Sequence, residues 1–236
     1  MTRINKFIAN CGVCSRRHAE ELIVSGRVFV NGEVCRELST QIGEGDRVFI
    51  DGAEIKPQAQ KVFVLLNKPV GVVSTASDER GRKTVLDLIA GDARLSGLRL
   101  YPVGRLDADS DGLIILTNDG EFAKKISHPS SNTPKTYRAK VDDPINDGDI
   151  KILAGGVDIL LSGGEIYKTK PCAARKIGKR ELEITICEGK NRQIRKMLAK
   201  LGYHVESLTR IKEGDFELGD LKSGEYKIIS RAEGNA

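Results

Sequence analysis

Residues 101–120 read YPVGRLDADSDGLIILTNDG and give the plainest structural signal in the chain. A turn that opens at Gly104 carries Arg-Leu-Asp, which ends at Asp107, and two further aspartates follow at alternate positions. We call residues 104–111 the acidic loop. The loop leads into a strongly apolar run, Leu113–Leu116, and the Asn-Asp-Gly triplet that follows is a turn signal. The segment therefore predicts a polar loop, a buried strand and a turn.

Further apolar runs along the chain extend this strand into a sheet. Four of them are strand-like, namely Val62–Leu66, Thr136–Val141, Glu183–Cys187 and Tyr226–Ile229. Helices are predicted over Thr84–Ile89 and Arg192–Leu201. Strands outnumber helices and do not alternate strictly with them, so we expect an α+β fold with a mostly antiparallel sheet.

The first 57 residues read as a separate, small unit. Apolar residues from Ile4 to Cys11 have helical spacing that ends at Gly12, and Ser15 is placed to cap a second helix. Short β-like runs follow at 27–30 and 47–50, and an Asn-Gly turn lies between them. Two short helices and a small β-ribbon fit these residues.

Positive charge is concentrated in one part of the chain. The 236 residues carry 38 Lys or Arg and 33 Asp or Glu, a net charge of +5. Residues 168–212 hold thirteen basic and four acidic residues, so their local excess is larger than that of the whole chain. A solvated basic face is one interpretation, but clustering of this degree favours a groove for nucleic acid, whose phosphates dominate affinity.

The composition excludes several classes of protein. No apolar run approaches the roughly 20 residues that cross a bilayer, and the N-terminus is too polar for a signal peptide. Five dispersed cysteines suit free thiols in a reducing compartment better than a disulfide framework. We therefore expect a cytoplasmic globular protein without a membrane partner.

Two metal sites are weak alternatives on spacing. Cys11-x2-Cys14 with His18 invites a zinc interpretation, but no second pair of ligands follows. Asp107, Asp109 and Asp111 alternate as calcium ligands could, yet the twelfth position of an EF-hand count is not Glu. We expect no metal.

Three pieces of the acidic loop and the strand after it carry a family resemblance: Gly104-Arg105-Leu106-Asp107, Gly112-Leu113 and Thr117-Asn118-Asp119-Gly120. They resemble the signature of the RsuA/RluB/RluF family of ribosomal-RNA pseudouridine synthases. Segments that agree with that family are Leu66-Asn67-Lys68-Pro69-x-Gly71, Lys135-Thr136-Tyr137, the run from Glu188 to Met197, and Leu208-x-Arg210. The first 32 residues resemble the alpha-L RNA-binding motif of ribosomal protein S-four and tyrosyl-tRNA synthetases.

The resemblance implies two domains and one reaction. Residues 1–57 would form the alpha-L RNA-binding domain, 58–61 a linker and 62–232 the pseudouridine synthase domain. The implied reaction breaks the N1–C1′ bond of a uridine in ribosomal RNA, rotates the uracil and joins C5 to C1′. Nothing is oxidised and no phosphate moves, so we expect no cofactor. Large-subunit rRNA is favoured as the substrate, either free or in an assembling subunit, and the protein is expected to be a monomer.

The resemblance also assigns the site residues. Asp107 would be the catalytic aspartate, acting as nucleophile at C1′ or as base on the sugar. Arg195 would keep Asp107 ionised, and Tyr137 would stack on the target base. Arg105 would enter the stack when the uridine leaves it. The expected RNA-binding residues are Arg105, Lys68, Arg16, Arg17, Lys190 and Arg192, and Lys68 could instead stabilise its own turn.

Two other functions fit part of the pattern. A non-catalytic RNA-binding or ribosome-assembly factor could carry the same N-terminal module, although intact Asp107, Tyr137 and Arg195 favour an enzyme. A metal-dependent nuclease would need Asp107, Asp109 and Asp111 to converge on one ion, which alternate loop residues need not do.

Overall fold

The computed structural model describes residues 1–229, and it contains no helix there that is long and apolar enough to span a membrane. The N-terminal unit has two helices and six short strands. These are β1 (Thr2–Arg3), α1 (Ile4–Asn10), α2 (Arg16–Val24), β2 (Val28–Val30), β3 (Glu33–Val34), β4 (Gln41–Ile42), β5 (Val48–Ile50) and β6 (Ala53–Ile55).

Local signals set the boundaries of these elements. The Ser15 side chain accepts a hydrogen bond from His18 N at 3.1 Å and so caps α2 as predicted. Asn31 and Gly32 both have positive φ, and their turn joins β2 to β3. Four strands follow the order β3-β2-β5-β6 and β1 pairs with β4, so the predicted helices and ribbon are confirmed. Their apolar faces meet in a small core of Ile4, Ile8, Ala19, Leu22, Ile23, Val28, Ile42 and Val48.

The remaining described residues form the larger unit. Its strands are β7 (Phe63–Lys68), β8 (Tyr101–Val103), β9 (Asp111–Thr117), β10 (Lys135–Val141), β11 (Asp158–Leu160), β12 (Ile166–Lys168), β13 (Ala173–Gly178), β14 (Glu181–Ile186), β15 (Val205–Glu213), β16 (Phe216–Glu217) and β17 (Tyr226–Ile229). Its α-helices are α3 (Gly120–Ser127), α4 (Asp147–Gly155) and α5 (Gln193–Lys200). Short 3-10 turns span Ala93–Leu95 and Pro129–Ser131. The predicted end of this domain at residue 232 lies outside the described residues.

Nine strands of the larger unit form one sheet. Seven follow the order β13-β14-β10-β15-β9-β7-β17, while β8 pairs with β9 and β16 with β15. The pair β9–β15 is parallel and the other pairs are antiparallel. The α+β prediction with a mostly antiparallel sheet is confirmed.

Apolar side chains cover both faces of the centre of this sheet. Strand β9 is buried on both sides, because Ile114 and Leu116 enter the main core while Leu113 and Ile115 enter a second cluster. On the second face Phe122 of α3 packs edge-on against Phe63, with ring centroids 4.8 Å apart. A strand buried on both faces reads as a continuous apolar run, which is why its sequence signal was so plain.

One predicted helix is wrong. Residues 84–89 form turns, in which Ile89 N donates to Leu86 O at 3.1 Å. Thr84 forms a bridge with Val73, and both its N and its Oγ1 donate to the Asp87 carboxylate. The six residues are too few to repay helix nucleation once Thr84 is tied to another segment. In the larger unit, helices α3 and α4 and strands β8, β11, β12, β13, β15 and β16 were not predicted.

The two units meet at Gln58. Its backbone N donates to Asn10 O at 3.1 Å, and its side-chain Nε2 donates to Gly97 O at 3.0 Å. Asn118 Nδ2 donates to Gln58 Oε1 at 3.1 Å. A single glutamine therefore bonds to α1 and to two segments of the larger unit, and the polar linker predicted from composition is anchored at this point.

Candidate active site

The acidic loop is held by hydrogen bonds on either side of Asp107. The Oγ of buried Ser74 bonds to both Leu106 N and Leu106 O, at 3.1 and 3.0 Å. On the following residue, Ala108 O accepts from Gly71 N at 2.7 Å. Asp107 is half-buried between these two anchors. Its carboxylate therefore extends from an ordered backbone, as a reacting group requires.

Asp107 and Tyr137 line the same cleft, which we call the central cleft and which has a volume of about 290 Å³. Two side clefts adjoin it, one of about 660 Å³ beside residues 73–82 and one of about 510 Å³ that contains Lys135, Lys170 and Lys190. The exposed Arg105 borders all three. The other residues of the central cleft are Leu106, Ser110, Ile186, Leu208 and the run 189–194.

Tyr137 lies on β10, the strand next to β15 in the sheet, and is paired in register with Arg210. Only 8% of the residue is exposed, so its ring forms part of the wall between the central cleft and the lysine-lined side cleft. Burial raises the pKa of the Tyr137 hydroxyl, and the positive charge of Arg210 offsets part of that rise. Tyr137 is therefore a neutral aromatic wall at neutral pH.

Arg210, which had no role predicted from the sequence, lies fully buried behind Tyr137. Its Nε donates to Leu113 O at 2.7 Å, and its Nη2 lies 3.0 Å from Glu213 Oε2. Glu213 is also fully buried, so the two charges neutralise each other away from water. The Leu-x-Arg match at 208–210 was the one signal in the sequence that could have drawn attention to this arginine.

Gly112 makes this arrangement possible. Its φ is +103°, and a Cβ there would lie 2.3 Å from Arg210 O and 2.6 Å from Arg210 N. Strands β9 and β15 pair in parallel at this point, with Arg210 opposite Gly112. Only glycine lets the two backbones approach so closely, which places Arg210 directly beneath the start of β9.

The expected role of Arg195, to keep Asp107 ionised, stays a prediction, and in this structure its guanidinium has other partners. Arg195 Nη1 donates to Val205 O at 3.1 Å and Nη2 to Asp109 O at 2.8 Å, while its Nε lies 3.5 Å from the Asp109 carboxylate. No ion pair to Asp107 occurs among residues 1–229. Arg195 lies on the first turn of α5, and from there its side chain bonds to carbonyls of the acidic loop and of β15.

Lys68 does not face the cleft either. The residue is fully buried, and its Nζ donates to Pro69 O at 2.8 Å and to Val72 O at 2.9 Å. Burial lowers the pKa of Lys68 to about 8, while Asp111, Asp109 and Asp107 oppose the shift. These bonds favour the alternative role of Lys68 in its own turn, and its expected RNA contact stays a prediction.

The other expected RNA-binding residues are exposed. Arg16 and Arg17 begin α2 and form no ion pair among residues 1–229. Lys190 Nζ lies 4.5 Å from the centre of the Tyr167 ring, at the border of the central cleft. Arg192 lies at the same border, and its Nη2 is 2.8 Å from Asp109 Oδ2. The structure thus brings Arg105, Lys190 and Arg192 together around Asp107 and Tyr137.

Neither metal alternative finds a ligand set in the described part of the chain. No group of three or more His, Cys, Asp or Glu side chains there is arranged to hold an ion. Burial raises the pKa of Cys11 to about 12, which disfavours the thiolate that zinc would need. Asp109, one of the three candidate calcium ligands, is paired with arginines instead.

Both units of the chain match known protein families. Residues 62–200 match the family described as RNA pseudouridylate synthase, and residues 2–48 match the S4 domain. The chain belongs to the RNA pseudouridylate synthase family. The resemblance read from the acidic loop is confirmed, and this synthase is an isomerase with an S4 domain in front of its catalytic domain.

Individual relatives match the synthase over nearly its full length. Ribosomal large subunit pseudouridine synthase B of Bacillus subtilis is 39% identical over 236 residues, which cover 98% of this chain and 93% of that protein. The dual-specificity RNA pseudouridine synthase RluF of Salmonella typhi is 38% identical and covered over 76% of its length, against 97% of this chain. A crystal structure of a pseudouridylate synthase superposes with a TM-score of 0.69 at 33% identity and covers 99% of this chain and 98% of its own.

Proposed function

We propose that the synthase isomerises one uridine of ribosomal RNA, most favourably large-subunit rRNA, to pseudouridine. The observation that supports this most directly is the juxtaposition of a carboxylate, Asp107, and a buried aromatic wall, Tyr137, in one cleft with a basic rim. The choice of rRNA follows the Bacillus subtilis relative, whose name places its action on the large ribosomal subunit. The substrate is free rRNA or an assembling subunit, met in the cytoplasm by a monomer.

A single carboxylate suffices for this reaction. Cleavage of the N1–C1′ bond builds positive charge at C1′, which Asp107 stabilises or attacks. A glycosidase needs a second carboxyl group to protonate an alkoxide, but uracil leaves as a delocalised anion and stays in the cleft. Arg192 at the cleft border and buried Lys68 beneath the acidic loop place positive charge near Asp107.

Access to C1′ requires the uridine to leave its stack. Flipping costs roughly a few kcal/mol of lost stacking and pairing. We assign Arg105 to the vacated space, because its guanidinium is planar, exposed and common to all three clefts. Tyr137 then provides the surface against which the extruded uracil lies, and the basic rim binds the flanking phosphates.

The N-terminal unit binds the RNA away from the central cleft. We propose the boundaries 1–57 for the RNA-binding domain, 58–61 for the linker and 62–232 for the catalytic domain. Arg16 and Arg17 are exposed at the capped start of α2, where helix N-terminal amides also favour a phosphate. The two arginines therefore bind the RNA backbone and position the catalytic domain on its target.

The substitution Asp107→Asn tests the proposal. The side chain keeps its shape and loses its charge, so product formation should fall by at least on the order of 10³-fold. RNA affinity should change by less than about fivefold, the range for one exposed charge. Unmodified rRNA is incubated with the protein, and pseudouridine is then mapped by carbodiimide-induced stops in primer extension. The matched control is Asp220→Asn, which changes an exposed acid near the C-terminal strand.

Activity of Asp107→Asn within a few-fold of the wild type would remove Asp107 from the reaction. Wild-type protein that binds rRNA tightly but yields no stop at any uridine would instead favour the non-catalytic RNA-binding or assembly factor. The two results are distinct, because the first concerns one residue and the second concerns the activity itself.

A further inference from the structure

Asp109 has no place in the reaction described so far, yet two arginines bind it. Its carboxylate Oδ2 lies 2.8 Å from Arg192 Nη2 and 3.5 Å from Arg195 Nε. The ion pair with Arg192 lowers the pKa of the Asp109 carboxyl, as expected for an acid that is charged in the folded protein. Asp109 therefore occupies an anion site that Arg192 and Arg195 form at the start of α5.

The two arginines differ in what else holds them. Arg195 is only 12% exposed and also donates to the backbone carbonyls of Asp109 and Val205 and, at 3.4 Å, to Ser110 Oγ. These bonds do not depend on the Asp109 carboxylate. Arg195 thus joins the acidic loop, α5 and β15 permanently.

Arg192 is held far less firmly. Its side chain is 44% exposed, and that of Asp109 is 45% exposed, so their ion pair is largely screened by water. Its backbone φ is +53°, a conformation that non-glycine residues adopt only where neighbouring structure imposes it. The backbone thus places Arg192 at the border of the central cleft, which Asp107 also lines, while the guanidinium is held only by its screened pair with Asp109.

We propose that Asp109 is a positioning residue, which holds the acidic loop to α5 through Arg192 in the free protein and releases Arg192 to an RNA phosphate when substrate binds. The inference rests on the proposed function, because it requires RNA across the central cleft. A phosphodiester offers two anionic oxygens in the geometry that a guanidinium binds bidentately, so it competes well with a screened carboxylate. Arg195 keeps the loop in place during the exchange.

This arrangement predicts opposite effects on binding and on catalysis. In Asp109→Asn, Arg192 is available to RNA from the start, so RNA should bind about two- to fivefold more tightly. The slope of log K against log[salt] should steepen by about 0.7, the value for one further single-strand phosphate contact. The single-turnover rate should fall by about tenfold or more, because the variant also lacks the carboxylate that faces Arg195 Nε at 3.5 Å and still ties the acidic loop to α5 after Arg192 has moved to the phosphate.

The experiment uses full-length protein and unmodified large-subunit rRNA transcribed with [5-³H]UTP. Tritium release in single turnover measures the rate of isomerisation. Filter binding at several salt concentrations measures RNA affinity. Arg192→Gln should weaken binding, and in that background Asp109→Asn should give no further tightening. Asp109→Glu should recover part of the rate. Glu206→Gln is the charge-matched control, because that acid pairs with Lys140 and Arg180 at 3.0 and 3.6 Å.

A uniform loss of binding and rate in Asp109→Asn would overturn the proposal, since a purely structural acid gives that result. Tightening by Glu206→Gln equal to that of Asp109→Asn would also overturn it, because the effect would then be one of net charge. Failure of the proposed function would give another result, because the wild type itself would then release no tritium. Failure of the proposal for Asp109 leaves the wild type active and appears only in the variants.

Discussion

The close approach of β9 and β15 at Gly112 makes a quantitative prediction for Gly112→Ala. The new methyl group would lie 2.3 Å from Arg210 O, 2.6 Å from Arg210 N and 3.0 Å from Arg210 C. All three are backbone atoms at the centre of a nine-stranded sheet, so no side-chain rotation relieves the overlap. The strands must part where they position Arg210 and the acidic loop.

Two costs add in this variant. An L-residue held at positive φ costs about 1–3 kcal/mol. Forcing a methyl group into a packed interior costs about 1–3 kcal/mol more. We therefore expect Gly112→Ala to lower the free energy of unfolding by about 2–6 kcal/mol, a large share of the stability of a typical domain.

Urea unfolding followed by circular dichroism measures this loss, and Gly202→Ala is the matched control. Gly202 has a φ of +92°, and a Cβ there meets nothing within 4 Å, so that variant should show the cost of positive φ alone. The fraction of Gly112→Ala that stays folded should also isomerise uridine more slowly. Equal destabilisation by the two substitutions would show that β9 and β15 tolerate the methyl group and would refute the reasoning.

Two further predictions follow from Lys68 and from the arginines of α2. The pKa of Lys68 falls from 10.5 unfolded to about 8 folded, so between these pH values only the unfolded chain keeps the proton and the contribution of Lys68 to stability rises with pH. The stability difference between the wild type and Lys68→Met should therefore shift by up to about 3 kcal/mol from pH 8 to pH 10.5 in urea titrations, and parallel pH curves would contradict this. Replacing Arg16 and Arg17 by Gln should weaken RNA binding and make its salt slope shallower by about 1.4. Arg27→Gln, which removes a charge already paired with Asp51, should change the slope little in the same filter-binding assay.

The parts of the fold that were predicted carry their information locally. The apolar run of β9 identifies a strand buried on both faces, and Ser15 marks the start of α2 by its own side chain. The acidic loop was recognisable because its residues are contiguous. In each case neighbours in sequence supply most of the physical constraint, so the pattern is sufficient.

The parts that were missed depend on contacts between distant residues. Strand β15 reads VESLTRIKE, and its charges suggest a solvated segment until Arg210 and Glu213 are seen to neutralise each other inside the sheet. Spacing alone could not show that Arg195 donates to the carbonyls of Val205 and Asp109 and forms no ion pair with Asp107 among residues 1–229. Lys68 looked like a surface base for the same reason, because its two carbonyl acceptors come from a turn whose path the sequence does not specify.

The hydrogen bonds of Gln58 have a consequence for how the target uridine would be selected. The backbone amide of Gln58 bonds to α1, and its side chain bonds to residues 97 and 118. The unit that carries Arg16 and Arg17 is therefore attached to the larger unit by hydrogen bonds as well as by the linker. Under the proposed function, in which Arg16 and Arg17 bind phosphates and Asp107 acts on the sugar, the distance between these two contacts on the RNA would be set by the protein. A uridine would then be selected by its distance from the bound phosphates on folded RNA, without recognition of the bases that lie between.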